Sequence, residues 1–463
     1  MKHNKLVFLT LFLVIITLIF FSCSNSSAQQ EDRKSTGIDR TLYLLNTSTK
    51  AQPNQLEILF YGQSIIGGMR TNILVDSLKA RFPYARIKYK HKPIGGFTIP
   101  DLTNTVYHDV YQENPDLIVF HAYDGIKDNL YDAFIKNIRK RISSEILLLD
   151  HHYVWDKPNE RLKSVNESHD FDSRAIKSIA QKYNCGFVNV REQWKTHLEN
   201  NEMTPNLLMG NTVDPNVHPN DQGNALLRQI ILSKFPKSDS LNYSAEDENL
   251  RIMVPPNQFH KDIEIPSSAT NVELFLERSI RKVDNCSVVV LIDGKKPSEF
   301  RDSYHVERPS KGFQSWMPGI SKVTLGKPFP IEEEWTITVF DIDRENKTFK
   351  FRLEGEKTGV DGEGNNVGKF ISNSKRISID GAHFNLFRIE KILKKETPEN
   401  FKIKFKVSQI IKETITLKPN VNKYKLFRSN SSQNSVHKLN INIVGDQPNV
   451  KNLMISTPYI ADL

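Results

Sequence analysis

Short apolar runs alternate with amphipathic segments along the first half of the chain. The runs are too short for typical helices and have the continuous hydrophobic character of strands that are buried on both faces. The pattern predicts strands over 56–61, 85–90, 116–123, 145–152 and 186–190, and helices over 72–82, 101–112, 131–142, 172–183, 191–200 and 221–235. Strands that alternate with helices in this way predict an α/β fold with a parallel sheet.

The second half of the chain, from about residue 250 to residue 463, has a different pattern. Its apolar runs are rich in β-branched and aromatic residues, often alternate with polar residues, and are separated by turn residues. This pattern predicts a β-sandwich or jelly-roll-like region, formed by residues 250–296 together with 392–463. Stretches that contain Pro and Gly suggest that residues 297–391 are an inserted β module.

The N-terminal segment carries a signal for export. Residues 6–21 are uncharged, follow two lysines and form a run that suits the core of a signal peptide better than a spanning helix. Ser22 and Cys23 come next, an arrangement that resembles the signal of bacterial lipoproteins. The resemblance implies a lipidated Cys23 at the start of the mature protein, anchored in the bacterial cell envelope at the outer membrane. Residues 24–55 would be a polar tether. An ordinary secretory signal and an uncleaved anchor are the alternatives.

The composition excludes several other classes of protein. With 38% hydrophobic and 25% charged residues in 463 positions, the chain is typical of a globular protein of several domains. The net charge of +9 falls by two, to +7, without the leader residues Lys2 and Lys5, and the basic residues are dispersed. Nucleic-acid binding is therefore not indicated. Cys185 and Cys286 lie in or beside apolar runs, and we expect two buried thiols rather than a disulfide.

Residues suited to nucleophilic chemistry follow the ends of the predicted strands. Ser64 comes after the first strand, and Gly95 and Gly96 come after the second, where glycine lets backbone N–H groups approach a ligand closely. His218 precedes the last helix. An imidazole near a serine hydroxyl can accept its proton, and a carboxylate such as that of Asp214 can support the imidazole. Because working residues gather at the carboxyl ends of parallel strands, we expect Ser64 and His218 to meet there.

These blocks together resemble the SGNH (GDSL-type) hydrolase superfamily of esterases and lipases. The segment Gly62-Gln63-Ser64 is similar to its first block, with Gln where the commonest form has Asp. Gly96 is similar to the glycine of its second block. His218, which Pro219-Asn220-Asp221 follows, is similar to its last block. The resemblance covers roughly residues 56–235, with the blocks in the expected order.

The resemblance implies a flavodoxin-like parallel sheet over residues 56–240, the SGNH hydrolase fold, and a serine esterase mechanism without a metal or organic cofactor. Ser64 would be the nucleophile, His218 would be the general base and Asp214 would orient His218. The oxyanion donors would be the backbone N–H groups of Ser64 and Gly96, of which each is typically worth about 100- to 1,000-fold in rate.

Two positions differ from the family pattern. The family's third block supplies an Asn side chain to the oxyanion, whereas this chain has Tyr123 there, whose hydroxyl would be the third donor. The family's Asp stands three residues before the His, where this chain has Pro215, so that Asp214 is one residue further away. Three other carboxylates are candidate partners of His218 by position alone: Asp124, Asp150 and Asp221.

The expected function is hydrolysis of acyl esters, first of all O-acetyl esters, on carbohydrates. The leader, the Gly-Gln-Ser form and the β-rich region resemble the carbohydrate-esterase branch of the superfamily, whose members remove acyl groups from polysaccharides. The expected partners are therefore an acylated polysaccharide or oligosaccharide and, through the lipid, a membrane. The alternatives are an esterase or lipase for small or lipid acyl esters, and an inactive glycan-binding lipoprotein.

Overall fold

The computed structural model describes most of the chain beyond the leader. The described residues are 35–154, 160–210, 217–238, 250–276, 286–309, 317–418, 421–429, 435–445 and 450–459. Residues 37–463 belong to one structural unit, which all statements below concern. Cys23, predicted to be lipidated, and Asp214, predicted to orient His218, lie outside the described residues.

A parallel sheet lies at the centre of the first half of the chain. Its strands are β1 (Gln55–Gly62), β2 (Arg86–Pro93), β3 (Leu117–His121), β4 (Glu145–Leu149) and β5 (Gly186–Val188). Within the described residues their order is β2-β1-β3-β4-β5, and every strand is parallel to its neighbours. This is the strand order of flavodoxin-like folds, which confirms the predicted fold class.

Helices cover both faces of this sheet. They are α1 (Asp39–Asn46), α2 (Ser64–Gly68), α3 (Thr71–Arg81), α4 (Ile99–Val106), α5 (Leu130–Arg139), α6 (Glu160–Lys182), α7 (Val190–Asn200) and α8 (Asp221–Leu232). A π-helical turn, Tyr107–Tyr111, continues α4. Successive residues of β1 enter two different cores, with Phe60 in one and Leu59 and Tyr61 in the other. No helix in the described ranges combines the length and the apolar character that crossing a membrane requires.

Helix α1 corrects the prediction of a polar tether before β1. Leu42 and Leu45 are buried in the core on one face of the sheet. The backbone N–H groups of Arg40 and Thr41 donate to the two carboxylate oxygens of Glu145, at 2.8 and 2.7 Å. The prediction is wrong for α1, because a short apolar stripe inside a mostly polar segment is enough to bury a helix against one face of the sheet.

Antiparallel strands and a single described α-helix form the second half. The strands are β6 (Arg251–Val254), β7 (Ile263–Ile265), β8 (Asn271–Leu276), β9 (Ser287–Ile292), β10 (Tyr304–Val306), β11 (Thr324–Leu325), β12 (Glu333–Asp343), β13 (Thr348–Gly355), β14 (Gly359–Asn365), β15 (Lys369–Ile371), β16 (Ile377–Asp380), β17 (Phe401–Gln409), β18 (Thr414–Thr416), β19 (Lys423–Arg428), β20 (His437–Val444) and β21 (Val450–Ser456). The helix is α9 (Leu386–Leu393). Short 3₁₀ turns in this half occupy Pro256–Gln258, Pro297–Glu299, Arg301–Ser303 and Gly381–His383, and one in the first half occupies Pro205–Leu208.

The described antiparallel strands fall into two groups. In the first group, the sheets β18-β9-β20-β7 and β19-β8-β21-β6 share an apolar core that includes Leu274 and Val290, as in a β-sandwich. In the second group, the sheets β10-β17-β12-β13-β14 and β11-β16-β15 surround a separate core that includes Trp335. Strand β17 pairs with β12 over most of its length and therefore belongs to the second group. The second group thus extends beyond residue 391, the predicted end of the inserted module.

Cys185 and Cys286 are both buried thiols, which confirms the prediction for these two residues. Burial raises the pKa of the Cys185 thiol. A thiol that remains protonated in an apolar core is inert as a nucleophile, so Cys185 has a packing role.

His108, in the π-helical turn after α4, joins the two halves of the protein. Its buried ring donates from Nδ1–H to the carbonyl of Val306 at 2.9 Å and accepts at Nε2 from the N–H of Val323 at 3.0 Å. A carbonyl only accepts and an N–H only donates, so the ring is neutral and carries its hydrogen on Nδ1. Burial lowers the pKa of His108 to about 3.

We expect His108→Ala to lower the free energy of unfolding by about 2–5 kcal/mol at neutral pH, because the Val306 carbonyl and the Val323 N–H lose their buried partner. Below the ordinary histidine pKa of about 6.5, the unfolded chain binds a proton that the folded His108 does not, so stability falls as pH falls, by about 1.4 kcal/mol per pH unit. The variant lacks this contribution.

Urea unfolding across the range from about pH 4 to about pH 7 measures both effects. The exposed His260→Ala is the control. Equal stability and equal pH dependence of the two variants would contradict the role assigned to His108.

Candidate active site

The end of strand β1 brings Ser64 to the carboxyl edge of the sheet. Gly62, the last residue of β1, has a φ of +139°, and a Cβ at this position would lie 2.0 Å from the carbonyl oxygen of His121. Only glycine fits there, so the chain can turn directly beside the end of β3. Ser64 then opens α2, and the Gln63 side chain caps this helix by accepting from the Ile65 N–H at 3.2 Å.

His218 reaches Ser64 from the loop before α8. Its Nε2 lies 2.8 Å from the Oγ of Ser64. The His218 carbonyl accepts from the Gly210 N–H at 2.8 Å, and the Asn220 side chain caps α8 by accepting from the Gly223 N–H at 3.0 Å. The structure thus brings together the serine and the histidine that the sequence singled out, 154 positions apart.

The His218 ring is suited to accepting a proton. Partial burial lowers its pKa from the ordinary value of 6.5, although more than a third of the residue is exposed. The lowered pKa keeps the ring neutral near pH 7. A neutral imidazole at hydrogen-bond distance from a hydroxyl can act as a general base toward it.

Gln63 and His218 compete for the hydroxyl hydrogen of Ser64. The Ser64 Oγ lies 2.7 Å from the Oε1 of Gln63 and 2.8 Å from the Nε2 of His218, and the hydroxyl has one hydrogen. The amide oxygen can only accept. The hydrogen therefore points to Gln63 while the Nε2 of His218 carries a hydrogen, and it can point to either acceptor when this nitrogen is unprotonated.

A row of buried hydrogen bonds fixes the orientation of the Gln63 amide. Because Oε1 accepts from Ile65 and Ser64, the amide nitrogen faces His121, with Nε2 at 2.8 Å from Nδ1. An amide NH₂ only donates, so the Nδ1 of His121 accepts and the hydrogen of the neutral ring is on Nε2. This nitrogen lies 2.9 Å from the Nδ1 of His151, which accepts in turn and carries its own hydrogen on Nε2.

Burial keeps these two histidines neutral. Burial lowers the pKa of His121 to about 3 and the pKa of His151 well below its ordinary value, and the neighbouring His169 adds to both shifts. A protonated His121 would turn an N–H toward the NH₂ group of Gln63, so its neutrality maintains the orientation of the amide. The Asp172 carboxylate lies 3.8 Å from the Nε2 of His151, too far for a hydrogen bond.

The glycine pair after β2 lies at the same edge of the sheet. The N–H of Ile94 donates to the carbonyl of Gly62 at 2.8 Å, so the loop starts beside the end of β1. Gly96 has a φ of +77°, which favours glycine. Asp101 then caps α4 by accepting from the Thr98 N–H at 3.0 Å. The loop therefore turns next to the segment that carries the serine.

Tyr123, predicted as a third oxyanion donor, packs against a histidine cluster that consists of His121, His151 and His169. Its ring stacks on His169 with centroids 5.1 Å apart and meets the His121 ring edge-on at 5.0 Å. Its hydroxyl is buried, has no hydrogen-bond partner within the described residues, and has a pKa that burial raises. The hydroxyl therefore keeps its hydrogen, and its donation to an oxyanion stays a prediction.

The carboxylates considered as partners of His218 occupy different places. Asp150 accepts from backbone N–H groups at the start of α7, and burial raises its pKa to about 6. Asp221 pairs with an arginine at the surface, and Asp124 accepts from the next backbone N–H. These three are thus engaged elsewhere, and Asp214, outside the described residues, stays a prediction.

A cavity of about 360 Å³ has in its lining Val217, the residue that precedes His218 in the sequence. Its lining includes Val217, Tyr123, His169, Asp124, Lys127 and Asp172. The lining combines aromatic surface with groups that donate and accept hydrogen bonds, which suits a ligand that carries polar substituents.

The histidine cluster is the part of the site that is absent from the predicted site residues. His121 ends β3 and His151 follows β4, so their signal was the strand-end position that singled out Ser64. His152 has a different partner, because its Nε2 donates to the Val217 carbonyl at 2.9 Å. In the part of the chain that the structure describes, no group of three or more His, Cys, Asp and Glu side chains could hold a metal ion.

Comparison with known proteins finds likeness among solved structures only. No protein-family model and no curated protein matches the chain. An acetylxylan esterase from Geobacillus stearothermophilus is similar, with 20% identity, a TM-score of 0.32, and coverage of 42% of this chain and 98% of that one. A catalytic mutant of this esterase matches with 20% identity, a TM-score of 0.33 and coverage of 41% and 97%. An alpha/beta hydrolase from the metagenome of Lake Arreo, Spain, has 17% identity, a TM-score of 0.33 and coverage of 39% and 94%.

We expect His121 and His151 to be neutral, with the hydrogen on Nε2, over the range from about pH 4 upward, because their hydrogen bonds and burial exclude the imidazolium form. Nitrogen chemical shifts of the protein labelled with ¹⁵N-histidine distinguish the two tautomers and the imidazolium. His121→Asn assigns the His121 signal, and the exposed His260→Ala shows what loss of an unrelated ring does. A hydrogen on the Nδ1 of His121, or protonation of His121 near pH 6, would contradict the arrangement.

Proposed function

We propose that the protein is a serine ester hydrolase with Ser64 as the nucleophile and His218 as the general base. The observation that carries the proposal is the distance of 2.8 Å between the Ser64 Oγ and the His218 Nε2. The pair lies at the carboxyl edge of a parallel sheet, where such folds place their active residues. A serine hydroxyl is a weak nucleophile, and an imidazole at this distance can remove its proton as it attacks.

The proposed reaction proceeds through a covalent acyl-enzyme. The Ser64 Oγ attacks the ester carbonyl carbon while its proton moves to His218, and the backbone N–H groups of Ser64 and Gly96 hold the resulting oxyanion. The ester C–O bond breaks as His218 gives its proton to the leaving alcohol. Water then attacks the acyl-enzyme with His218 as the base, which releases the acid and restores the serine. Asp214 would orient His218, as the sequence resemblance implies.

Gln63 has a role in the free enzyme, before attack, while the Nε2 of His218 carries a hydrogen. The Ser64 hydroxyl then donates to the Oε1 of Gln63, 2.7 Å away, and remains in place beside the ring. When the Nε2 of His218 is unprotonated, the hydroxyl hydrogen can turn to it and attack can begin. The neutral pair His121 and His151 keeps the amide in the orientation that this exchange requires.

We propose acylated polysaccharides or oligosaccharides, first of all their O-acetyl esters, as the substrates. The proposal follows the resemblance of the sequence blocks to carbohydrate esterases. The cavity that Val217 and Tyr123 line supports it, because the side chains of Asp124, Lys127 and Asp172 in its lining can bind the hydroxyl groups of a sugar. We also propose that the mature protein is anchored in the cell envelope by a lipid on Cys23.

We expect Ser64→Ala and His218→Ala each to lower kcat by about 1,000-fold or more, because each removes a group that the proposed first step requires. Release of p-nitrophenol from p-nitrophenyl acetate, and of acetate from acetylated xylan, pectin and xyloglucan, measures the rates. Ser178→Ala, on the exposed face of α6, is the matched control.

If the wild type and Ser64→Ala turn over p-nitrophenyl acetate equally, the protein is not a serine esterase. Turnover of long-chain esters with no acetate release from any polysaccharide would replace the carbohydrate substrate by a lipid one.

We expect kcat/KM to fall as pH decreases through the pKa of His218, with a midpoint below 6.5, because only the neutral ring accepts the Ser64 proton and partial burial lowers its pKa. The measurement is the initial rate at low substrate concentration over the range from about pH 4 to about pH 8. The protein without substrate, held at each pH and assayed after return to neutral pH, controls for unfolding. A rate that rises toward acid would exclude His218 as the base.

A further inference from the structure

Helix α9, from the β-rich half, lies against the glycine loop of the candidate active site. We propose that Arg388 of this helix is a positioning residue for the oxyanion donor at Gly96, so that the β-rich half completes the active site. This inference rests on the proposed esterase function and assigns a task to a region that the sequence resemblance leaves without one.

The guanidinium of Arg388 makes three kinds of contact with the loop. Its Nη2 donates to the carbonyl of Gly96 at 2.8 Å. Its two terminal nitrogens donate to the two carboxylate oxygens of Asp101, at 2.5 and 3.0 Å. Its central carbon lies 4.8 Å from the centroid of the Phe97 ring, as in a cation–π contact. A planar guanidinium can satisfy all three at once, which a point charge cannot.

These contacts hold both ends of the same short segment. Asp101 is the residue that accepts from the Thr98 N–H, so the bidentate pair with Arg388 ties the start of α4 to the Gly96 carbonyl. Gly96 has no side chain that could restrict its own dihedral angles, and its φ of +77° is one of several that glycine adopts readily. An external hydrogen bond to its carbonyl therefore favours one conformation of Gly96, and to this conformation we assign the N–H direction that the oxyanion requires.

Apolar contacts from the β-rich half support the same loop. Met317 and Ile389 belong to the core that contains Ile94 and Phe97, on one face of the parallel sheet. The Cε of Met317 lies 3.8 Å from the position that a Cβ of Gly96 would occupy. Residues that follow the loop by more than 200 positions therefore both pack against it and hydrogen-bond to it.

Other contacts fix the β-rich half independently of Arg388. The side chain of Arg428 donates to the carbonyls of Gln112, Asp302 and Tyr304, and His108 is bonded to the backbone on the opposite side of the junction. Loss of the Arg388 guanidinium alone should therefore leave the two halves docked and change the loop.

The test compares Arg388→Met, Arg388→Lys and Arg352→Met in the full chain. Methionine keeps an apolar stem over Phe97 but removes every hydrogen bond, and lysine cannot hold the Gly96 carbonyl and both Asp101 oxygens together. Arg352→Met removes an exposed arginine that pairs with Glu363 elsewhere in the β-rich half.

We expect Arg388→Met to lower kcat on p-nitrophenyl acetate by about 10- to 100-fold with less than about a threefold change in KM, because a misdirected donor loses part of the 100- to 1,000-fold that a deleted one loses. Arg388→Lys should lie between this variant and the wild type, and Arg352→Met should equal the wild type. Inactivation by an organophosphonate ester, whose phosphoryl oxygen needs the same donors, should slow by a similar factor. The urea midpoint should not change.

Wild-type kcat in Arg388→Met, or an equal loss in Arg352→Met, would overturn the inference. If Arg388→Met unfolds at a lower urea concentration than the wild type, the kcat of Arg388→Lys is the deciding measurement. A wild-type kcat in Arg388→Lys would then also overturn the inference. Failure of the esterase proposal is distinct, since the wild type would then hydrolyse no faster than Ser64→Ala.

Discussion

The contact between Gly62 and the carbonyl of His121 is the constraint on which the candidate site depends. Two parallel strands end side by side there, with no room for a side chain between them. Their closeness places Gln63 within hydrogen-bond distance of the His121 ring and sets Ser64 at the start of the following turn. A larger residue would separate the strands, and the serine would move away from His218 together with the amide beside it.

The polar groups buried behind the serine stabilise one arrangement, because each hydrogen bond determines whether the next atom in the row donates or accepts. The Ile65 N–H fixes the oxygen of the Gln63 amide, the amide nitrogen fixes the tautomer of His121, and that tautomer fixes His151. Buried polar atoms are costly when they are unpaired, so alternative orientations of the amide are excluded. The serine hydroxyl stands at the end of this row that faces His218, whose protonation state can change.

The docking of the β-rich half includes buried polar contacts as well as apolar ones, and the polar contacts make it specific in geometry. Asp116 is the centre of a buried ion cluster in which it pairs with Arg40 at 2.7 Å and with Lys423 at 3.2 Å. Burial alone would raise the pKa of this carboxyl, but the two cations lower it, so it stays ionised. Separating one member of such a cluster would leave a buried charge unpaired, so a displacement of one half relative to the other is unfavourable. A fixed interface is what allows Arg388 to hold a loop that lies 292 positions earlier.

The sequence by itself determined the α/β half, the strand ends that Ser64 and Gly96 follow, and the loop before the last helix of this half, which carries His218. These follow from local signals, because strand and helix periods are set by neighbouring residues and parallel strands collect their following loops at one edge. Only the tertiary structure decided the burial of α1, the tautomer of His121 and the contact of Arg388. Each of these depends on pairing between groups far apart in the chain, and a hydrogen bond or a buried ion pair leaves no periodic trace around either partner.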